Sequence, residues 1–519
     1  MLNVVNPADA ITAARLVELL DPSTPWNRSL WSLSTVLTLR EILEAAEANR
    51  AGMLSEESVK RLAQVALRLA GKDSGVVKGE KHVLNEALKA APPYDGLNYH
   101  TVAQLAETIN ANYLPRWAAA FGGSTPLQPE RSARSLAAHL LDLGFSEEYL
   151  HAWWTRWLYK EPDQVTLTEI CSLAHGELAQ RQLSSFEVAI AFKNAPRSAS
   201  GFPPGWKTAK DISYWLRRNG FDIDQVRVSG GMIIPIKAKD ARAAANYASE
   251  RLDHIVARSS VATAQPLQSW PAVWVLGERS PFSLEPRARG VRVKALYREN
   301  QIFSESSSNV DAAIDLLAHL ENSSPSAAVA GGWAAMEALL AEPNDRSSAA
   351  ESLADLVACS FLRAELTGLS YTVERFCPEL ALKGCRENRD RALIVARAIQ
   401  DGNDLKLRRY TDQAALRRIR KLIQNPSRGL SDVQTHIADA FQRLYRQRNL
   451  ILHGGKTDSV ALNGSLRTAS KLVGAGMDRI THGWYVKRIR PVELAARAKT
   501  AIRLVPDGDP QACIDLLGL

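Results

Sequence analysis

Apolar residues recur three and four positions apart through most of this 519-residue chain, and the pattern is interrupted only once. The segments LREILEAAEANR, SVKRLAQVALRLAG and RSLAAHLLDLGFSEEYLHAWWTRWLYK carry it through residues 1–160. Side chains at that spacing line one face of an α-helix, and PSTP, APPYDG and GGSTPLQP supply the breaks between helices. Over residues 161–305 the texture changes to short β-branched or aromatic runs, SFEVAIAF, GGMIIPIKA, AVWVLG and GVRVKALYRE. These alternate with helical stretches such as TAKDISYWLRRNG, which is the pattern of strands mixed with helices. After SESSSN the helical period returns and holds to the end. The expected fold is mainly α and multidomain: a helical domain over 1–160, an α+β domain over 161–305, and a helical domain with a helical extension over 306–519. Ser/Gly-rich joints are expected at 304–309 and 322–332. A length of 519 residues accommodates about three domains, and with 46% hydrophobic residues each has material for a core.

Several function classes drop out early. The five cysteines, Cys171, Cys359, Cys377, Cys385 and Cys513, form no C-x-x-C pair and have no histidine at ligand spacing, so reduced thiols, no metal and no cofactor are expected. HGGKTD has the tail of a phosphate-binding loop, but the loop's first glycine would fall at Leu450, inside a helix. Gly230-Gly231 precedes a strand rather than a strand-to-helix turn, which removes a dinucleotide site. The start of the chain has no basic segment ahead of an apolar run, and no stretch of ~18 uncharged apolar residues occurs. A soluble, cytoplasmic protein with no membrane partner is the expectation.

Charge is unevenly placed. The chain carries 64 Lys and Arg, 45 of them Arg, against 56 acids, a net charge of +8. Residues 386–448 alone hold fifteen Lys or Arg and seven acids, which is the same +8, so the remainder is neutral. Arginine favours bidentate contact with phosphate or carboxylate. On a helix Arg417, Arg420 and Lys421 share one face able to follow a phosphate backbone, and Arg446 lies in the same basic segment. A solvated basic face or an acidic protein partner is the alternative reading.

The most specific local feature is RNLILHGG, with Arg448, Asn449 and His453 at the end of a helix that stops at Gly454-Gly455. An imidazole can move a proton near neutral pH and a guanidinium can hold a phosphate, which together are what metal-free RNA cleavage needs. The chain's composition gives about 0.9 Arg-x4-His pairs by chance, and two are present. Requiring Asn after the Arg keeps only Arg448 with His453. The other pair, Arg134 with His139, lies among leucines on an amphipathic helix, where surface charge and packing account for it. For Arg448 and His453 the plain alternative is a solvated arginine and a histidine capping the helix C-terminus. The cluster His151, Trp153, Trp154, Arg156, Trp157 and Tyr159 could stack bases, but its helical spacing favours packing; His482 reads as structural.

RNLILH resembles the R-N-x-x-x-H signature of the HEPN superfamily, helical-bundle domains that in many members are metal-independent ribonucleases. AAIDLLAHLENS, GGWAAMEALL with Trp333 and Glu337, and RSSAAESLADLVACSFLRAELTGL are similar to the early helices of HEPN domains of abortive-infection and anti-phage proteins. The resemblance covers roughly residues 308–485. It implies that Arg448 binds the scissile phosphate, that His453 acts on the 2′-hydroxyl or the leaving group, that Asn449 orients them, and that Glu337 pairs with Arg448 across the bundle. It also implies an RNA substrate and a homodimer through the C-terminal domain, with a phage-derived activator sensed by the N-terminal regions. Members that kept the fold and lost cleavage exist, so the alternative is a non-catalytic dimerisation and interaction protein. A DNA-binding regulator ranks lower, for want of a helix-turn-helix signal.

Overall fold

A computed structural model describes residues 4, 6–159, 164–196, 202, 204–222, 226–284, 289–303 and 308–518. The chain is mainly α-helical and built around several cores. The N-terminal helices are α1 (Pro7–Leu20), α2 (Thr35–Arg50), α3 (Glu56–Lys72), α4 (Lys78–Ala87), α5 (Leu97–Phe121), α6 (Pro129–Asp142), α7 (Glu147–Tyr159) and α8 (Leu167–Ala174). Their starts follow local chemistry. Ser34 and Ser55 each accept the N–H three residues on, and proline takes the first position of α1 and α6, where no N–H is needed.

The central unit runs β1 (Ser184–Phe192), β2 (Trp206–Thr208), α9 (Ala209–Arg218), β3 (Gly230–Ala238), α10 (Ala241–Ala262), β4 (Ser269–Val275) and β5 (Phe282–Ser283). The strands form one antiparallel sheet ordered β2-β3-β1-β4-β5. Alternation along β1 sends Val188, Ile190 and Phe192 into a core with α10, and Ala189 and Ala191 into a second core with α9. Pro235 lies on β3 beyond the reach of β2, where no second neighbour asks for its missing N–H.

The short α11 (Ala295–Arg298) leads to α12 (Asn309–Asn322), α13 (Pro325–Leu340), α14 (Ser348–Cys359), α15 (Phe361–Phe376), α16 (Asn388–Gln400), α17 (Tyr410–Gln424), α18 (Pro426–Gly454), α19 (Leu462–Lys487), α20 (Pro491–Leu504) and α21 (Pro510–Ile514). Trp333, Met336, Leu353, Phe441, Leu472 and Met477 sit at 0% exposure in their common core.

Three expectations about organisation are corrected. Helix α8, placed in the α+β segment by its position after residue 160, buries Leu167, Ile170 and Ala174 in the N-terminal core against α5. GVRVKALYRE, expected as a strand, forms none: it holds the short helix α11 and belongs to the C-terminal side, with Val291 in that core and the Ala295 N–H donating to Asp478 on α19 at 2.7 Å. The joint expected at 322–332 is confined to Ser323 and Ser324, because Pro325 at the first helical position starts α13 there. Of the joint at 304–309, residues 304–307 lie outside the described residues.

The N-terminal helices are fastened to the C-terminal bundle by buried ion pairs. Glu41 on α2 accepts from Arg443 Nε at 3.1 Å and from Arg446 Nη2 at 2.8 Å, and all three side chains are less than 5% exposed. Burial alone would raise the Glu41 pKa, but Arg446 and then Arg443 outweigh it and hold the carboxyl below its ordinary value. Glu130 on α6 gathers Arg15, Arg134 and Arg418, and the far side of Arg418 meets Glu365 at 2.9 Å. Asp142 binds Arg467 on α19, and Arg68 binds Asp439 on α18. The predicted surface role of Arg134 is corrected by this network, and His139 is fully packed, stacked on Tyr113 with ring centroids 3.9 Å apart.

Removing one partner of such a cluster strands the others. Glu41→Ala should cost about 3–5 kcal/mol in urea unfolding, because two buried guanidinium groups lose their counter-charge. His139 gives a second expectation. Burial lowers its pKa to about 3, so it folds neutral, and stability falls as pH drops below the unfolded value near 6.5. That loss is about 2 kcal/mol between pH 7 and 5, partly offset by Asp355, whose carboxyl burial pushes up to about 6. A His139→Gln variant should show no such loss, and urea titrations at the two pH values measure the difference.

Candidate functional site

Helix α18 carries RNLILH at its C-terminal end. It spans 29 residues, a rise of about 43 Å. It ends because Gly455 adopts φ +61°, a conformation glycine takes without strain, with its N–H donating to Ile451 O and that of Lys456 to Leu450 O. Gly454 lies against the N-terminal domain, where a Cβ would fall 2.0 Å from Met53 Sδ. Leu450, one turn earlier, is buried in the N-terminal core. The end of the motif helix is thus seated on the loop between α2 and α3.

The structure brings Arg448, Asn449, His453 and Glu337 together. Arg448 Nη1 donates to Asn449 Oδ1 at 3.0 Å and lies 3.3 Å from His453 Nε2. A guanidinium only donates, so this contact is a hydrogen bond only with the lone pair of His453 on Nε2. Arg448 Nη2 is 3.8 Å from Glu337 Oε2 on α13. Glu337 is itself oriented by the buried indole of Trp333, one helical turn earlier, whose N–H donates to Oε2 at 2.8 Å. Trp333 in turn packs against Tyr445 of α18 with ring centroids 4.8 Å apart. Arg448 is partly buried, Asn449 is buried and His453 is exposed, so a fixed cation lies beside an accessible imidazole.

One cation of this cluster has no signal in the sequence. Arg346, in the loop between α13 and α14, reaches Glu337 Oε1 at 3.3 Å with its side chain 64% exposed. It follows no motif spacing and arrives only because α13 and α14 fold back beside α18.

The expected RNA-binding residues divide. Arg417, Arg420 and Lys421 are exposed on the outer face of α17, while Arg418 between them turns inward to Glu130 and Glu365. Helix α17 ends one residue before α18 begins, and His453 lies in the last turn of α18. Arg446 is a correction: it is 4% exposed and committed to Glu41. Two residues apart on a helix is about 200° of rotation. Arg448 therefore faces Glu337 while Arg446 faces the N-terminal domain.

Of the remaining sequence candidates the tryptophans of α7 and His482 are engaged in packing or pairing, while Arg156 and Tyr159 stay exposed. Trp153 and Trp154 are buried, and the Trp153 indole donates to Glu177 at 2.9 Å. His482 pairs with Glu299 at 2.8 Å beside α11, away from the motif. All five cysteines are free thiols, and burial pushes the Cys171 thiol up to about 12. Among the described residues no group of three or more His, Cys, Asp or Glu is arranged to hold a metal ion, and no helix is long and apolar enough to cross a membrane.

No protein-family model matches the chain, and no curated protein and no solved structure is significantly similar to it.

Glu337 is the pivot of this cluster, since it joins Trp333, Arg346 and Arg448. Glu337→Ala leaves the Trp333 indole N–H buried without its acceptor and should cost about 1.5–3 kcal/mol in urea unfolding. Glu337→Gln keeps an acceptor oxygen and should lose less.

Proposed function

We propose that the chain is a metal-independent endoribonuclease of HEPN type, acting through Arg448 and His453 and serving as a regulated anti-phage effector. The observation that carries the reading is the contact of Arg448 Nη1 with His453 Nε2 at 3.3 Å, with Asn449 and Glu337 on the same guanidinium. In the proposed reaction the 2′-oxygen attacks phosphorus and the bond to the 5′-oxygen breaks. The proton leaving the 2′-hydroxyl passes to an imidazole base, and the departing 5′-oxygen takes a proton from an imidazolium acid. Arg448 stabilises the charge on the phosphoryl oxygens, with Arg346 at hand on the other side of Glu337. The phosphate competes with Glu337 for these two cations. One chain brings one histidine to this place, so a second copy supplies the other proton-transfer role, in line with the homodimer the resemblance implies. RNA is the substrate class, and no cofactor enters the chemistry.

Regulation fits the same arrangement. Met53 against Gly454, Leu450 in the N-terminal core and the Glu41 pairs all bear on the helix that carries the motif. Displacement of the N-terminal domain by a phage component would act on that helix directly.

Wild type, Arg448→Ala and His453→Ala are incubated with RNA in EDTA, and the products are examined for 2′,3′-cyclic phosphate and 5′-hydroxyl ends. The expected result is cleavage by wild type and a loss of at least a hundredfold in each variant. Expression toxicity during phage infection, scored in parallel, covers a resting enzyme. Equal traces of cleavage in all three proteins, together with equal growth, would leave the non-catalytic dimerisation protein as the reading.

A further inference from the structure

The counted charge hides a second basic surface, because the central domain's cations are offset by acids elsewhere. Residues 193–229 hold seven Lys or Arg against three Asp. Helix α9 turns Ile212 and Leu216 onto the sheet and leaves Lys210, Tyr214, Arg217 and Arg218 exposed on its outer side. Those four are spaced four, three and one apart, so the ring of Tyr214, 64% exposed, stands between a lysine one turn before it and two arginines one turn after. The surface continues across the same side of the sheet. Trp270 packs beside Trp215 in the α9 core, its indole donates to Arg227 O at 2.8 Å, and Lys193 Nζ lies 5.6 Å from its ring centroid. Lys207, on the edge strand β2, adds a further exposed cation. Of the acids nearby, Asp211 accepts from Thr208 N and Oγ1 at the start of α9 and Glu187 accepts from the Trp215 indole, while Asp222, just past the end of α9, is exposed.

We infer that the outer face of α9, with Lys193, Arg227 and Trp270 beside it, is a binding surface for single-stranded nucleic acid. A strand laid along α9 stacks one base on Tyr214 while its flanking phosphates meet Lys210 on one side and Arg217 and Arg218 on the other. The exposed ring among the cations is what favours this partner over an acidic peptide. A base presents a flat face to an aromatic ring, whereas a carboxylate side chain uses only the charges. A duplex keeps its bases stacked on one another and offers Tyr214 nothing.

The surface is separate from the Arg448 site and does not depend on cleavage there. Binding is read by fluorescence anisotropy with the full chain carrying His453→Ala and a labelled uridine oligonucleotide of about 20 nucleotides. Arg217→Ala with Arg218→Ala should weaken binding at least tenfold and reduce the slope of log affinity against log salt by about 1.4, at about 0.7 per phosphate contact. Tyr214→Ala should weaken it fivefold or more with the slope unchanged, and Tyr214→Phe should restore it. All of these side chains are exposed, so melting temperatures should match the parent. Affinity unchanged by both sets of substitutions, equal binding of duplex RNA, or equal competition by polyglutamate overturns the inference. Because the assay detects no cleavage, a failed ribonuclease reading leaves its result standing, and its failure leaves the Arg448 experiment intact.

Discussion

Everything at the motif end of α18 depends on the carboxylate of Glu41. Two arginines two-thirds of the way along a long amphipathic helix are buried, and nothing else described on α2 neutralises them. Burying a guanidinium without an acid is so unfavourable that the helix can pack here only with Glu41 in place. Once it does, the rotation of α18 is set. With Arg443 and Arg446 turned toward α2, Arg448 must point to α13, where Glu337 and the Trp333 indole wait for it. Glu44, one turn from Glu41, then fixes the chain beyond the motif through Ser459, the Val460 N–H and Lys456. The same pair of helices that closes the domain interface therefore aims the candidate site.

The helical character of both ends, and three of the four strand runs between them, were legible because periods of 3.6 and 2 are local properties of a sequence; GVRVKALYRE, β-branched but packed against α19, folds as the short α11 instead. So was the stop of α18 at Gly454-Gly455, and so was the grouping of Arg448, Asn449 and His453, which one helix end brings together. Glu337 needed more than spacing, since it comes from α13, and only the resemblance pointed to it. The fate of Arg446 was half legible: helix geometry separates it from Arg448, but which of the two faces solvent depends on an acid 405 positions away. Segment boundaries slipped for a similar reason. Helix α8 has the pattern of any amphipathic helix, and its allegiance to α5 is a tertiary fact. Arg346 was invisible, being a loop arginine whose neighbours are set by how two helices return.

Basic charge shows the limits of counting most clearly. The segment with the largest surplus, 386–448, spends Arg391, Arg418, Arg443 and Arg446 inside the protein on Glu374, Glu365, Glu130 and Glu41. The central segment 161–305 carries a modest surplus, 19 Lys or Arg against 15 acids, yet it leaves Lys210, Arg217 and Arg218 exposed together on α9. Location relative to the surface, more than number, decides what a partner meets.

The clamp at Glu41 also sets an order of events during synthesis. Its partners on α18 are 402 and 405 residues later in the chain, so at ordinary elongation rates they emerge on the order of 20–80 s after it. For that interval α2 and α6 present Glu41, Glu44 and Glu130 to water with no arginine from the far end of the chain to cover them. The N-terminal helices must stay soluble on the ribosome as an acid-faced intermediate. The motif helix is thus the piece whose arrival covers Glu41, with α19 following to bring Arg467 to Asp142, and a chain truncated before it would be left with its interface open.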